Sequence, residues 1–353
     1  MVRRRRTSRR KKGPGAAGFL LGFFLLAALA STAAVWLVFW PAGPRSEIFV
    51  EVIPGSTTSQ IATQLESAGV IRSRYAFDIV RLWKRGRLMA GEYRFDHAAP
   101  ATEVYSRIAR GDVFTLAVTI PEGSTRFDIA TRLSEAGFVN VTKEDFLAAT
   151  VSETPLIADL DPQARSLEGY LFPDTYRFQR KVTSSQIIAA MVRRFRTAAA
   201  EVGLTQDGTK DSIHHVVTLA SLVERETAAT DERAQVASVL TNRLAKNMPL
   251  MTDPAVIYGL QIAGEWRGAI YKSDLSRDTP YNTYLHTGLP PAPIANPGLA
   301  SLKAALHPAE TDYLYFVAAS ADPQGKSRFA ATLDEHNKNV ASYRKALKRA
   351  GGR

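Results

Sequence analysis

Residues 217–242 read VTLASLVERETAATDERAQVASVLTN. Up to Val223 the stretch is apolar apart from small hydroxyls, and then Glu224, Arg225 and Glu226 bring in charge at once. With the residues before it, that run predicts a helix over Ile213–Thr227, apolar around most of its circumference and therefore buried. A second helix is predicted over Asp231–Lys246, with Asp231 as its N-cap and Glu232 and Arg233 in the first turn. An acid at the edge of an apolar run loses solvent. Desolvation holds a carboxyl proton on towards neutral pH, as a general acid requires. The plainer reading is a helix end whose acids pair with Arg225 or Arg233. Glu224 and Glu226 are two apart, about 200° around a helix, so they cannot both face one bond. Only one of them can be the acid.

On either side of this pair the chain stays mostly helical. Ser184–Val202 places Ile187, Ile188, Met191, Val192 and Phe195 at helical period. Pro249–Gly298 holds seven prolines and five Tyr or Trp residues, which predicts structured loops around a cleft. Leu299–Leu306 reads as a short helix ended by His307-Pro308, Tyr313–Ala318 as a buried strand, and Leu333–Arg349 as a terminal amphipathic helix.

Towards the N-terminus the pattern changes to alternating strands and helices. Ile48–Ile53 reads as a strand, followed by a helix capped near Thr57 that carries Ile61, Leu65 and Ala68 and stops at Gly69. A helix at about Tyr75–Lys84, a strand over Ala90–Phe95, a helix over Thr102–Ala109 and a strand over Val113–Ile120 follow. Within this region GSTTSQIATQLESAGV (55–70) and GSTRFDIATRLSEAGF (123–138) share nine of sixteen positions at an offset of 68. Convergence on good capping chemistry is one explanation, and duplication is the one that identical spacing favours. A strand, a Gly-Ser-Thr turn and a helix ending in Ala-Gly resembles the LysM-like modules that hold wall glycans.

The 353 residues suffice for about two domains. A 45% hydrophobic and 22% charged composition excludes a wholly disordered or collagen-like chain. Of the net charge of +11, eight charges sit in residues 1–12 (MVRRRRTSRRKK), which leaves an ordinary +3 for the rest. Ala16–Trp40 then runs 25 residues without a charge. As a helix it would be about 37 Å long, against a hydrocarbon core of about 30 Å. A cleaved signal peptide competes, since Ser31-Thr32-Ala33-Ala34 resembles a cleavage site. The apolar run, however, continues through Val35–Trp40, which favours an uncleaved anchor with Trp36 and Trp40 at the far interface. Arg and Lys stay in the cytoplasm, so residues 41–353 are expected outside, in the periplasm or outer wall space. The tail is then a topology signal and a lipid-headgroup contact rather than a nucleic-acid site. Pro41-Ala42-Gly43-Pro44 is expected to begin a short linker.

The remaining chemistry narrows by elimination. There is no cysteine, hence no thiol nucleophile and no Cys-ligated metal. There is no G-x-x-x-x-G-K-[ST], G-x-G-x-x-G, H-E-x-x-H or G-x-S-x-G, so phosphate-loop, zincin and serine-elbow readings have no support. Carboxylates remain.

Several multi-residue stretches now add to this reading: ASLVERETAATDERAQVASVLTNRL (220–244), MPLMTDPAVIYGL (248–260), TPYNTYLHTGLPPAPIANPGLASLKAALHPA (279–309), DYLYFVA (312–318) and LEGYLFPDTY (167–176). In this order they resemble the MltG-type (YceG-like) endolytic murein transglycosylases, over about residues 46–347. The chain departs from that family in having Met251 where a Gln precedes Thr-Asp-Pro, and Ala255 where a Thr or Ser often follows the Pro. The resemblance implies an α+β protein with an N-terminal transmembrane helix, a small LysM-like α/β region and a mostly helical, lysozyme-like transglycosylase domain. Residues 1–15 are then a cytoplasmic tail and 16–40 a signal anchor in a bacterial inner membrane. Residues 46–180 form the LysM-like region and 181–353 the catalytic domain.

In lytic transglycosylases of this kind a Glu followed by Ser or Thr is the acid. Here that is Glu226, followed by Thr227, with Glu224 left as a supporting residue. A hydrolase needs two acids. A lytic transglycosylase needs one, because N-acetylmuramic acid (MurNAc) supplies its own C6 hydroxyl and closes a 1,6-anhydro ring. No metal or other cofactor is implied. Arg243, Asp253, Tyr258, Tyr281, Asn282 and Tyr284, with Asn242, are the expected sugar contacts, since a glycan offers C–H faces and hydroxyls to aromatic, amide and guanidinium groups. Each could instead brace the core or a loop, and Asp253 could simply cap a helix. The implied partners are nascent peptidoglycan strands and membrane-bound synthases, and the implied role is to end strand elongation. The rival from another class is a non-catalytic wall-binding or divisome scaffold.

Overall fold

The computed structural model describes residues 16–205, 212–320, 322 and 326–351. The basic tail expected at 1–15 lies outside the described residues. The chain divides into two compact units between Phe114 and Thr115.

The first unit begins with helix α1 (Ala16–Phe39), of which Gly18–Phe39 is long and apolar enough to cross a membrane. It continues with β1 (Ile48–Val52), α2 (Thr58–Ser67), α3 (Arg74–Lys84), β2 (Gly91–Phe95) and α4 (Ala101–Arg110). β1 and β2 pair antiparallel, Ile48 opposite Phe95 and Val52 opposite Gly91. Ile61, Leu65, Phe77, Val80, Tyr93, Phe95, Val104 and Ile108 fill the core, and Val38 from the last turn of α1 joins them. The expected linker after α1 is itself structured: Ala42 exchanges both backbone hydrogen bonds with Ala99, at 3.0 and 2.8 Å.

The second unit starts with a copy of that pattern: β3 (Leu116–Thr119), α5 (Arg126–Glu135), α6 (Lys143–Ser152), β4 (Thr175–Phe178) and α7 (Ser184–Glu201). β3 and β4 also pair antiparallel. The two copies match in their caps and buried positions. Thr57 and Thr125 cap α2 and α5 through capping boxes with Gln60 and Asp128. Ile61, Ala62 and Leu65 are buried in the first, as are Ile129, Ala130 and Leu133 in the second. The duplication thus extends to a whole β-α-α-β-α unit.

Beyond it lie α8 (Ile213–Glu226), α9 (Arg233–Ala245), α10 (Asp253–Ile262), α11 (Lys272–Leu275), α12 (Leu299–Leu306), the antiparallel pair β5 (Tyr315–Ala318) and β6 (Ser327–Ala330), and α13 (Leu333–Gly351). One continuous core runs from Val118, Ile129 and Phe146 of the second copy to Leu219, Leu222 and Leu240 of the later helices. The compact boundary falls at 114/115, and α7 packs on α6 and α12 within the second unit, where this one core spans the 180/181 position.

Three local expectations also shift. Asp231 does not cap α9: it pairs with Lys326 at 2.7 Å, the chain tightens into a 3-10 turn over Thr230–Glu232, and the helix starts at Arg233. The proline-rich 249–298 stretch contains α10 and α11 as well as loops. β5 begins at Tyr315 and is half-buried, since a two-stranded sheet leaves it uncovered on one side.

Candidate active site

Helix α8 stops at Glu226 because Thr227 turns to extended backbone (φ −141°, ψ 135°), and its Oγ1 then accepts the Ala229 N–H at 3.1 Å. Glu226 is thus the last helical residue. It is half-buried, and its carboxyl has no hydrogen-bond partner among the described residues. Burial pushes that carboxyl up to about 7. The neighbouring Asp253 carboxylate adds to the rise, and Arg243 and Arg225 oppose it. The negative end of the helix dipole acts in the same sense as Asp253.

Three of the expected contacts gather here. Asp253 opens α10 and accepts the Tyr284 hydroxyl at 2.6 Å. Arg243, in the last turn of α9, donates to the Leu314 and Leu250 carbonyls at 2.7 and 2.8 Å and lies 5.3 Å over the Tyr315 ring. Tyr284 lies within electrostatic reach of Glu226, Asp253 and Arg243, and burial with Asp253 pushes its phenol well up. Met251 sits two residues before Asp253 in the left-handed region at φ 55°, its N–H on the Thr283 carbonyl at 3.0 Å. A non-glycine residue held there costs energy, and such strain clusters at functional sites.

Glu226 lines a cavity of about 370 Å³ with Glu122, Arg225, Thr227 and Arg233. Glu122, Gly123 and Arg225 also line a second cavity of about 490 Å³ that extends along Asp128, Thr131, Arg132 and Glu135 of α5. The Gly-Ser-Thr turn and helix of the second copy therefore line a polar cavity that shares Glu122, Gly123 and Arg225 with the one at Glu226. Arg225 fixes the turn by donating to the Gly123 carbonyl at 3.1 Å.

The other acid is fully engaged. Glu224 pairs with buried Arg233 at 2.8 Å and accepts the Gly298 N–H at 2.9 Å. Tyr258 and Asn282 are buried and Tyr281 is half-buried, and none of the three lines the cavity at Glu226. Asn282 is buried, donating its amide to the Leu275 and Arg277 carbonyls. Asn242 likewise braces the Thr311 and Tyr313 carbonyls. Tyr258 is buried against Glu168, with the Tyr281 ring 5.3 Å away.

Glu168 escaped the sequence reading. It is 1% exposed, accepts the Arg126 N–H at 2.9 Å and the Asn296 amide at 2.7 Å, and burial pushes it up to about 7. Asn296 Oδ1 in turn accepts the Gly169 and Leu171 N–H groups, both at 2.9 Å. This clamp joins the start of α5 to the loops at 167–171 and 294–298. The criterion that singled out Glu224 and Glu226, an acid inside an apolar run, also fits Glu168 in LEGYLF.

Comparison with known proteins bears on the whole of this arrangement. Residues 50–342 match the YceG-like family. The chain belongs to that family. A Bacillus subtilis (strain 168) protein named endolytic murein transglycosylase is 35% identical over 317 residues, covering 85% of each chain. A protein of the same name from Streptococcus pneumoniae serotype 2 is 29% identical over 331 residues, which is 86% of this chain and 59% of that one. The crystal structure of a yceG-like protein from Listeria monocytogenes matches 84% of this chain and 99% of its own, with a TM-score of 0.56 and 36% identity.

Proposed function

We propose that this YceG-like protein is an endolytic murein transglycosylase that cuts the bond from MurNAc to N-acetylglucosamine (GlcNAc) inside nascent peptidoglycan strands and leaves 1,6-anhydro-MurNAc ends. The observation that carries the reading is Glu226, a carboxyl raised to about 7 that has no hydrogen-bond partner among the described residues and lines a polar cavity. Its proton goes to the bridging oxygen as the C1–O bond breaks. The C6 hydroxyl of the same MurNAc then attacks C1 and returns its proton to the Glu226 carboxylate. No water is consumed, and the acid is regenerated.

Asp253 keeps the proton on Glu226 before reaction and faces the positive charge that develops at C1. Arg243 balances Glu226 once it is ionised. Tyr284 offers the sugar a ring and a hydroxyl, while Tyr258, Tyr281 and Asn282 act behind it as supports. The β-α-α-β units serve as LysM-like glycan holders, the second feeding the cavity directly. α1 acts as a single-pass inner-membrane anchor with the tail cytoplasmic and the catalytic unit periplasmic. There the enzyme meets strands from membrane-bound synthases and ends their elongation.

One observation favours a second reading. Asp253 is a second carboxylate near Glu226, as a hydrolase requires. Mass spectrometry of the ends made from uncrosslinked glycan separates the two. The proposal expects anhydro ends from the wild type, and from Asp253→Asn at a reduced rate. Reducing ends would mean hydrolysis, and unchanged glycan a wall-binding scaffold.

A further inference from the structure

Helix α3 has two apolar faces and only one of them is covered. Ala76, Phe77 and Val80 are buried in the first unit's core. Tyr75, Ile79, Leu82 and Trp83 follow one another at helical spacing on the other side and are 62%, 46%, 74% and 66% exposed. That face adjoins the last turns of α1. The Trp83 ring meets Phe39 edge-on with centroids 6.4 Å apart, and Val35, Val38, Phe39, Ile79 and Trp83 surround an apolar cavity of about 250 Å³.

The height of α3 is fixed as well. Val38 is buried in the same core as Phe77 and Val80, and the Ala42–Ala99 pairing follows three residues after Phe39. No flexible tether separates the helix from the first unit. Cations fringe the exposed face: Arg72, whose guanidinium lies 4.3 Å over Trp36, and the exposed Lys84, Arg85 and Arg87. Asp78 is the only acid on the helix.

We propose that α3 is an in-plane membrane helix. Its Tyr75, Ile79, Leu82 and Trp83 face enters the acyl-chain boundary beside the outer end of α1, and the cationic fringe meets anionic headgroups. This rests on the reading of α1 as a membrane anchor. The choice of a lipid surface over a protein partner comes from continuity: the exposed face extends the apolar surface of a helix already long enough to span a bilayer. Aromatic residues at interface depth with a basic border are what such a surface recruits.

The test uses the full chain in nanodiscs containing phosphatidylglycerol, with lipids brominated either near the headgroup or near the chain ends. A variant carrying Trp36→Phe, Trp40→Phe and Trp266→Phe leaves Trp83 as the reporter. A second variant adds Trp83→Phe and Phe24→Trp to report on the anchor. Trp83 emission should fall roughly twofold with shallow bromines and less with deep ones, whereas the Phe24→Trp reporter should respond to the deep ones. Leu82→Glu, at an exposed position that leaves the core untouched, should abolish the Trp83 response. An unquenched Trp83 beside a quenched anchor reporter would overturn the proposal alone, as would quenching that survives Leu82→Glu. If neither reporter is quenched, the anchor reading falls and the proposal with it.

Discussion

At the last residue of α8, a carboxyl group meets the helix's unpaired carbonyls, the Asp253 charge and a largely dehydrated setting, all of which favour its protonated form. Glu224, two residues earlier, is also pushed up by burial, but Arg233 and the Gly298 N–H partner its charge and oppose that rise, where Glu226 has no such hydrogen bonds among the described residues. The contrast has a thermodynamic consequence. Because the folded state holds the Glu226 proton up to about 7 against an ordinary 4.5, it binds more proton than the unfolded chain, and stability falls as pH rises between those values. Below that window the effect vanishes. Glu226→Gln removes the titration and should be more stable than the parent by about 1–3 kcal/mol near pH 8, with the gain gone near pH 4. Glu168 titrates identically in both proteins, so the difference in denaturant midpoints isolates Glu226. An equal difference at both pH values would mean that Glu226 titrates normally.

The elements that hold the site depend on a few backbone requirements. Gly169 sits at φ 90°, and a Cβ there would lie 2.6 Å from Pro293 and 2.8 Å from Val217, so Gly169→Ala should cost roughly 3 kcal/mol or more. Thr125→Ala loses a buried capping box and should cost about 1–2 kcal/mol, more than Thr57→Ala in the exposed first copy. Thermal denaturation checks both, and equal losses at Thr57 and Thr125 would contradict the ordering. These elements also mark what was legible beforehand. Helices α7, α8 and α12 could be read to within a residue or two, because their apolar period and caps are local. The repeated capping motif likewise exposed the duplication. The Glu168–Asn296 clamp could not be read, since its partners stand 128 positions apart. Nor could the burial of Asn282 and Tyr258, whose motifs look alike whether a side chain faces a sugar or a loop. Asp231 misled because a cap-forming residue found a cation, Lys326, supplied from far along the chain.

Across the whole molecule the duplication ends up in two different settings. The first copy shares its core with the end of α1, while the second shares its core with the helices that carry Glu226. The 114/115 division follows from that sharing, and so does the polar cavity in which the turn at Glu122–Gly123 and the acid at Glu226 belong to one compact unit. Under the proposed function, one body holds a glycan and cleaves it, with a single carboxyl moving the proton both ways. The most direct measurement is the rate at which wild type, Glu226→Gln and Glu224→Gln release 1,6-anhydro ends from uncrosslinked glycan. Glu226→Gln keeps the shape of the side chain but has no proton to give, so its rate should fall by about 10⁴-fold or more, while Glu224→Gln keeps most of its activity. Wild-type release of anhydro ends by Glu226→Gln would contradict the account.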